Sequence, residues 1–305
     1  MSSAAHGQVF DLGYRRYEGP RAGRKRARLA IYKDGLRAAM GLGRGGRAKV
    51  PPWLFITAML IPAIIFALIA GAANRIAPDF DELDLPSHAD YYAIAAIILL
   101  IFAAIVGPEL LCSDRRDGVI HLYLVRPLTP GDYAGARWAA LATIMVAAAW
   151  LPQLVLLAGL TLGDPDPGSY LAENWLDIPR FLAAGLALAL YAATLAFLVA
   201  SFTTRRALAA VFLVGLFLIS TAVIGGVAQA VDPDVARWIV LLSISDVPLY
   251  INDLVFNNRA PASGGLAGTT GFAQRLPDVV PVVWYVGLVA VAGLIIRERY
   301  RRFTG

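Results

Sequence analysis

Long apolar runs alternate with polar segments along most of this chain. A helix needs about 20 apolar residues to cross the hydrocarbon core of a bilayer, and six runs approach or exceed that length. They cover approximately Pro52–Ala73, Tyr91–Leu111, Trp138–Leu162, Phe181–Phe202, Ala207–Val231 and Val279–Ile296. The pattern predicts an all-α polytopic membrane protein with six transmembrane helices, with Trp53, Tyr91 and Tyr92 at the membrane interfaces.

Composition supports a membrane protein. Of 305 residues, 58% are hydrophobic and only 16% are charged, whereas soluble domains carry about 25% charged residues. We expect residues 1–50 to form a polar cytoplasmic arm and residues 51–305 to form a six-helix transmembrane domain. The single cysteine, Cys112, excludes an intrachain disulfide and a cysteine-based metal site.

The N-terminal arm is strongly basic, with twelve lysines and arginines against three acids in residues 1–50. Apolar residues from Leu29 to Leu42 recur mostly at helical spacing beside arginines. This favours an amphipathic helix in the headgroup layer; the alternative is a disordered basic arm held near anionic lipid by charge. A basic patch beside a membrane span needs no nucleic-acid partner.

The distribution of charge predicts the orientation. Cytoplasmic loops are enriched in lysine and arginine, and 22 of the 27 basic residues lie in the arm, in the 109–137 loop, at Arg205 and Arg206, and in the C-terminal tail. Both termini are therefore expected in the cytoplasm. The acidic segments 74–90, 163–180 and 232–278 are expected outside.

The outer segment 232–278 is ambiguous. Trp238–Phe256 is apolar enough for a weak seventh span, but Asp246 and Asp253 make its insertion costly. We expect short helices in this segment, which either lie on the outer leaflet or dip into it as a re-entrant structure.

The span interiors lack the paired carboxylates, nucleophile–base pairs and metal-ligand clusters of enzymes and ion-coupled transporters. Their few polar candidates for a transport pathway are Gln153, Ser220 and Thr221, and Gln153 could instead form an interhelical hydrogen bond. Gly159 and Gly163 have the spacing of a close helix-packing motif. Gly41–Gly46 matches a nucleotide-binding glycine pattern but follows no strand, so we interpret it as a turn.

The loop Glu109–Arg137 carries the most informative pattern. A charged cluster, Ser113–Gly118, precedes alternating leucines and Arg126-Pro127, and Tyr133, Gly135 and Arg137 follow. Ser113 or Asp114 could cap a helix, Pro127 and Pro130 would end it, and Glu109 could pair with Arg115 or Arg137. With the six spans, the N-terminal helix and Tyr14–Pro20, this loop resembles that of the membrane subunits of type-2 ABC transporters.

The resemblance implies a bacterial inner-membrane permease subunit that is not itself an enzyme. The 109–137 loop would contain a coupling helix that docks on a separate ABC ATP-binding subunit, which holds the ATP and magnesium; this chain would hold no cofactor. A second permease copy or a paralogue would complete the pathway, with export as the expected direction. The implied coupling residues are Glu109, Asp114, Arg115, Arg116, Asp117, Gly118, Ile120, Tyr123, Leu124 and Arg126.

Other functions stay open at this point. An integral membrane enzyme acting on a lipid or lipid-linked substrate would need polar residues gathered at one membrane face. A structural or assembly factor would need no transport, and the loop would then be solvated without a partner. Neither the transported substrate nor the choice between homodimer and heterodimer follows from the sequence.

Overall fold

The structure is a computed structural model that describes residues 19, 23–43, 45–76, 87–118, 120, 123, 128–257, 273 and 276–302. Helix makes up 86% of it, and the described residues contain no strand. The prediction of an all-α protein is therefore confirmed.

Ten helices are defined in these ranges, together with short 3-10 turns at Gly46–Ala48 and Val240–Leu242. The helices are α1 Gly23–Ala39, α2 Val50–Ile76, α3 His88–Arg116, α4 Pro130–Gly163, α5 Pro167–Glu173, α6 Asp177–Ala200, α7 Arg206–Ala230, α8 Pro233–Ile239, α9 Val247–Phe256 and α10 Val279–Arg301. Six of them, α2, α3, α4, α6, α7 and α10, are long and apolar enough to cross a membrane, which confirms the predicted number of spans.

Capping residues set the starts of two spanning helices, α3 and α4, which begin at His88 and Pro130 and so before the apolar runs that hydropathy detects. Ser87 and Asp90 form a capping box at the start of α3, and Thr129 and Asp132 form another at the start of α4. Each box satisfies backbone N–H groups that the first helical turn leaves without partners. Hydropathy detects only the apolar stretch, whereas the cap determines where the helix begins.

The bundle has a buried centre and an exposed periphery. Helices α3, α4 and α6 bury more than half of their most apolar segments, whereas α2, α7 and α10 bury less than a quarter. The long apolar side chains on the outside of the peripheral helices, such as Leu68, Val211 and Leu294, are those expected to face lipid.

Small residues allow α2 and α4 to approach closely, as the spacing of Gly159 and Gly163 predicts. A Cβ atom placed on Gly159 would lie 2.2 Å from the Cβ of Ala67, and one on Gly163 would lie 2.8 Å from the Cα of Gly71. Both distances are too short for carbon atoms, so this contact requires glycine at both positions.

Tyr91 and Tyr92 do not form an interfacial belt, so that prediction is wrong. Both side chains are buried. The Tyr91 hydroxyl donates to the carbonyl of Met59 at 3.1 Å, and the Tyr92 hydroxyl donates to that of Phe181 at 2.8 Å. A buried tyrosine needs a partner for its hydroxyl group, and these two fix α3 against α2 and α6. Trp53, by contrast, is exposed.

Segment 232–278 is re-entrant where the structure describes it. The two parts Pro233–Leu242 and Val247–Phe256 meet at a bend of 112°. At the bend, the Tyr191 hydroxyl donates to the carbonyl of Ile244 at 2.7 Å, which places the bend inside the bundle. Further along, Asn252 donates to the carbonyl of Ala89 at 3.4 Å. Because Ala89 lies in the first turn of α3, the chain returns to the end of the bundle from which it entered.

Helix α1 packs on the bundle along one side. Ile31, Gly35 and Ala39 are its buried residues, and a Cβ on Gly35 would lie 2.7 Å from the Cβ of Ala140 on α4. The predicted helix therefore exists, and the disordered alternative is wrong for residues 23–39. Its apolar side contacts protein.

Candidate functional site

One end of the bundle gathers most arginines of the described residues. It consists of α1, the last turns of α3, the start of α4, the turn between α6 and α7, and the last turns of α10. We call it the arginine-rich end. The predicted coupling residues that the structure describes all lie here, and Leu124, Arg126 and most of the Tyr14–Pro20 stretch lie outside the described residues.

An ion-pair network around the buried guanidinium of Arg137 connects three helices at this end. The guanidinium of Arg137 on α4 contacts Asp114 of α3 at 2.6 Å and Asp34 of α1 at 2.9 Å. The Tyr133 hydroxyl donates to the same oxygen of Asp114 at 2.6 Å. These four residues, Asp34, Asp114, Tyr133 and Arg137, are called the Arg137 network below.

Burial makes this network strongly coupled. The Arg137 residue is only 2% exposed, so its charge depends on the two carboxylates for compensation. Removing one partner of a buried ion pair costs about 3–5 kcal/mol, because it leaves an uncompensated charge. The buried pair of Arg137 and Asp114 therefore makes the end of α3 and the start of α4 one mechanical unit, whereas Asp34, whose side chain is 59% exposed, holds α1 to it only weakly.

Aromatic rings extend the unit to the loop after α3 and to α10. The ring of Tyr133 stacks on Tyr123 with centroids 5.6 Å apart and contacts Tyr300 at 6.1 Å. Burial and the neighbouring charge of Asp114 raise the pKa of the Tyr123 phenol. Tyr123 thus stays neutral and packs as an aromatic side chain against the bundle.

The C-terminal end of α3 differs from the prediction. Ser113 and Asp114 do not cap a new helix; both lie within α3, which continues to Arg116 and ends with Asp117 as its C-cap. Gly118 then adopts a positive φ of 67°, which only glycine accommodates easily. The prediction of a cap at Ser113 or Asp114 is wrong because α3 extends beyond the apolar run.

Pro130 also acts differently from the prediction. It occupies the first turn of α4, where the missing N–H of proline is not needed. It therefore begins the next helix instead of ending the preceding one, and Pro127 lies outside the described residues.

Arg115 and Glu109 connect α3 to the turn between α6 and α7. Arg115 donates to the carbonyls of Ala200, Ser201 and Thr203 at 3.4, 2.5 and 3.3 Å, the carbonyl end of α6 where cations are favoured. Glu109 accepts from Arg206 at 2.8 Å. In the prediction Arg137 was one possible partner of Glu109, but Arg137 binds Asp34 and Asp114 instead.

Only part of the predicted coupling set is available on the surface. Arg116 and Asp117 form an exposed pair at 3.0 Å, next to exposed Gly118. Ile120, in contrast, is only 7% exposed. The tip of α3 thus exposes charged side chains, while the apolar side chain of Ile120 beside it is buried.

Further ion pairs fasten the N-terminal part of α1 to the bundle. Arg24 donates to Asp132 at 2.6 Å, and Arg28 lies 3.6 Å from the other oxygen of that carboxylate. The hydrogen bond to Asp132 raises the pKa of the Arg24 guanidinium. Both arginines are about half exposed, so these pairs position α1 without contributing much stability.

Gln153, a candidate pathway residue, is used in an interhelical bond. Its amide nitrogen donates to the carbonyl of His88 at 3.0 Å, so its oxygen accepts from the His88 Nδ1–H at 2.5 Å. Gln153 is fully buried, and α4 continues unbroken past Pro152. These contacts favour the interhelical hydrogen bond over contact with a substrate.

Ser220 and Thr221 lie where α7 meets the re-entrant bend. Thr221 is hydrogen-bonded to Ser245 and donates to Asp246 at 3.4 Å, while Ser220 lies 3.4 Å from Ser245. Thr221, Ser245 and Asp246 form the polar end of a cavity of about 170 Å³ between α3 and α7 that is otherwise apolar.

Sequence reasoning missed the centre of the Arg137 network. In the sequence, Asp34 is only one of the few acids of a basic arm, Tyr133 is part of the resemblance alone, and Arg137 is part of it and a possible partner of Glu109. One signal was present: Tyr133 and Arg137 are four residues apart and therefore lie on one helix face. Their common partner, Asp114, could not be identified without the fold.

The described residues contain no cluster of three or more histidines, cysteines or acids able to hold a metal ion. Comparison with protein-family models and with curated proteins found no match to this chain. The geometry of the arginine-rich end and the resemblance are therefore the two supports for a function.

Proposed function

We propose that this chain is the membrane-spanning permease subunit of an ATP-driven ABC transporter of the type-2 class. Two permease chains would form the pathway, and separate cytoplasmic subunits would hydrolyse ATP. The observation that carries the proposal is the exposed tip of α3 at Arg116–Gly118, which is joined rigidly to the spans through the Arg137 network.

The arrangement suits the transmission of movement. A partner bound to the tip of α3 would displace Asp114. The carboxylate of Asp114 lies 2.6 Å from the Arg137 guanidinium and 2.6 Å from the Tyr133 hydroxyl. Buried, paired charges tolerate little separation in a medium of low dielectric constant. Displacement of the tip would thus be passed to α4 and, more weakly through the exposed Asp34, to α1.

The proposal includes placement and direction. The arginine-rich end faces the cytoplasm of a bacterial inner membrane, in agreement with the positive-inside rule, and both termini lie there. Export is the direction that the resemblance implies. The cavity bounded by Thr221 and Ser245 is the part of the chain best suited to contribute to a pathway.

Co-purification tests the proposal. The full chain is co-expressed with an ABC ATP-binding subunit encoded by a neighbouring gene, and retention of that subunit is compared between the wild type and Asp117→Arg. Asp234→Arg is the matched control, because Asp234 is an exposed acid at the opposite end of the bundle. We expect Asp117→Arg to lose the ATP-binding subunit and Asp234→Arg to retain it.

The opposite results have clear meanings. If no ATP-binding subunit is retained by the wild type, the permease function is wrong and an enzyme acting on lipid becomes the better hypothesis. If both variants retain it equally, the tip of α3 is not the docking site. Size-exclusion profiles in detergent verify that each variant is folded.

A further inference from the structure

A second pocket lies at the arginine-rich end, away from the tip of α3. It encloses about 430 Å³ between the turn after α6 and the last turns of α10. Three apolar side chains form one wall and three charged side chains form the other. Its lining residues are Phe202, Leu294, Ile295, Glu298, Arg299 and Arg302.

Arg299 is held in place in this pocket by two contacts. Its Nε–H donates to the carbonyl of Ser201 at 2.6 Å, and its guanidinium lies 4.4 Å from the ring centroid of Phe202. Within the described part of the chain, its two terminal amino groups make no hydrogen bond. The side chain is thus preorganised, with its terminal donors available to an oxyanion.

The charges of the pocket favour an anion. The last turns of α10 carry Arg297, Arg299, Arg301 and Arg302 against the single acid Glu298. Glu298 is already engaged, at 3.0 Å from Arg301 and 3.2 Å from Arg302. The local charge is therefore positive, with Arg299 as its most fixed donor.

The position of the pocket fits the boundary between hydrocarbon and headgroups. Arg299 follows Val279, the first residue of α10, by a helical length of about 30 Å at 1.5 Å per residue, which is about the thickness of the hydrocarbon core. Phe202 and Leu294 are 54% and 63% exposed. An apolar wall and a fixed guanidinium thus meet where an acyl chain joins a phosphate.

We propose that this pocket binds an anionic phospholipid of the adjacent leaflet. The phosphate accepts hydrogen bonds from the terminal amino groups of Arg299, Arg302 adds a second positive charge, and the acyl chain lies along Leu294 and Ile295. Charge-assisted guanidinium–phosphate hydrogen bonds are among the stronger polar contacts in proteins. The proposal does not depend on the transport function.

Native mass spectrometry of the full chain in detergent tests it, using a phosphatidylglycerol and a phosphatidylcholine with the same acyl chains. We expect tighter binding of phosphatidylglycerol to the wild type and a loss of about tenfold in Arg299→Gln, as a lost charge-assisted contact implies. Arg297→Gln is the matched control, because Arg297 lies on the same helix but does not line the pocket. It should bind like the wild type.

Three results would overturn the proposal. They are unchanged lipid preference in Arg299→Gln, an equal loss in Arg297→Gln, and displacement of the lipid by millimolar inorganic phosphate, which would indicate a site for phosphate alone. If Arg299→Gln does not fold, Phe202→Ala replaces it, since the exposed ring can be removed without opening the core. Weaker phosphatidylglycerol binding in that variant supports the site, and unchanged binding contradicts it.

Discussion

The contact between α2 and α4 can be tested by exchanging one methyl group between the two helices. Gly159→Ala would place a Cβ 2.2 Å from the Cβ of Ala67. Carbon atoms make favourable contact at about 3.5–4.0 Å, so this distance is far too short. The helices must separate or tilt to admit it. Overpacking of this kind costs about 1–3 kcal/mol.

The single substitution has two opposing effects on stability, because alanine also stabilises a helix by about 1 kcal/mol relative to glycine. The decisive quantity is the coupling with Ala67→Gly, which removes the atom that clashes. In the double variant the nearest atom to the new Cβ is the Cα at position 67, which lies 3.3 Å away in the wild-type geometry. We therefore expect the double variant to be more stable than the sum of the single effects by about 1–2 kcal/mol.

The assay is equilibrium unfolding in mixed micelles, with sodium dodecyl sulfate as the denaturant. Gly215→Ala on α7 is the control, because a Cβ there has no atom within 4 Å. Its effect should add to that of Ala67→Gly within about 0.5 kcal/mol. If the Gly159 and Ala67 substitutions are also additive, the helices do not touch at this point and the packing argument is refuted.

Two further predictions concern buried polar contacts and use the same unfolding measurement. Asp114→Ala should destabilise the fold by about 3 kcal/mol, because Arg137 loses one of its two carboxylates in a buried site. The control Asp117→Ala should change stability by about 0.5 kcal/mol or less, as is usual at exposed positions. Equal effects of the two substitutions would contradict the Arg137 network. Gln153→Leu should lower the free energy of unfolding by about 1–3 kcal/mol, because it leaves the buried Nδ1–H of His88 without an acceptor. Adding His88→Leu should recover part of this stability. A double variant no more stable than Gln153→Leu would contradict the hydrogen bond.

Hydropathy located the spans well, but it predicted several helix starts at the wrong residue and placed two buried tyrosines at the membrane interface. The scale measures transfer from water to hydrocarbon and is blind to side-chain hydrogen bonds. It therefore missed the capping boxes at Ser87 and Thr129. For the same reason it gave no sign that Tyr91 and Tyr92 are buried, since an aromatic residue near a span end has the same hydropathy in the core as at the interface.

The candidate site was predicted in its position along the chain but not in its internal contacts. The charged cluster after the second span indicated a surface for a partner, and Arg116 and Asp117 are indeed exposed there. Asp114 and Arg115, next to them in sequence, point into contacts within the chain instead. Successive residues of a helix project in different directions, and which direction faces protein depends on the neighbouring helices.

The sequence by itself determined the helical class, the number of spans and the uneven distribution of positive charge, because these depend on local composition summed over about 20 residues. The tertiary structure alone decided that Arg137 lies between Asp34 and Asp114, that Gln153 binds His88, and that segment 232–278 turns back inside the bundle. Each of these depends on contacts between side chains that are far apart in sequence. Short-range polar contacts acquire their strength only when packing removes water from around them, and no single segment of the chain contains that information.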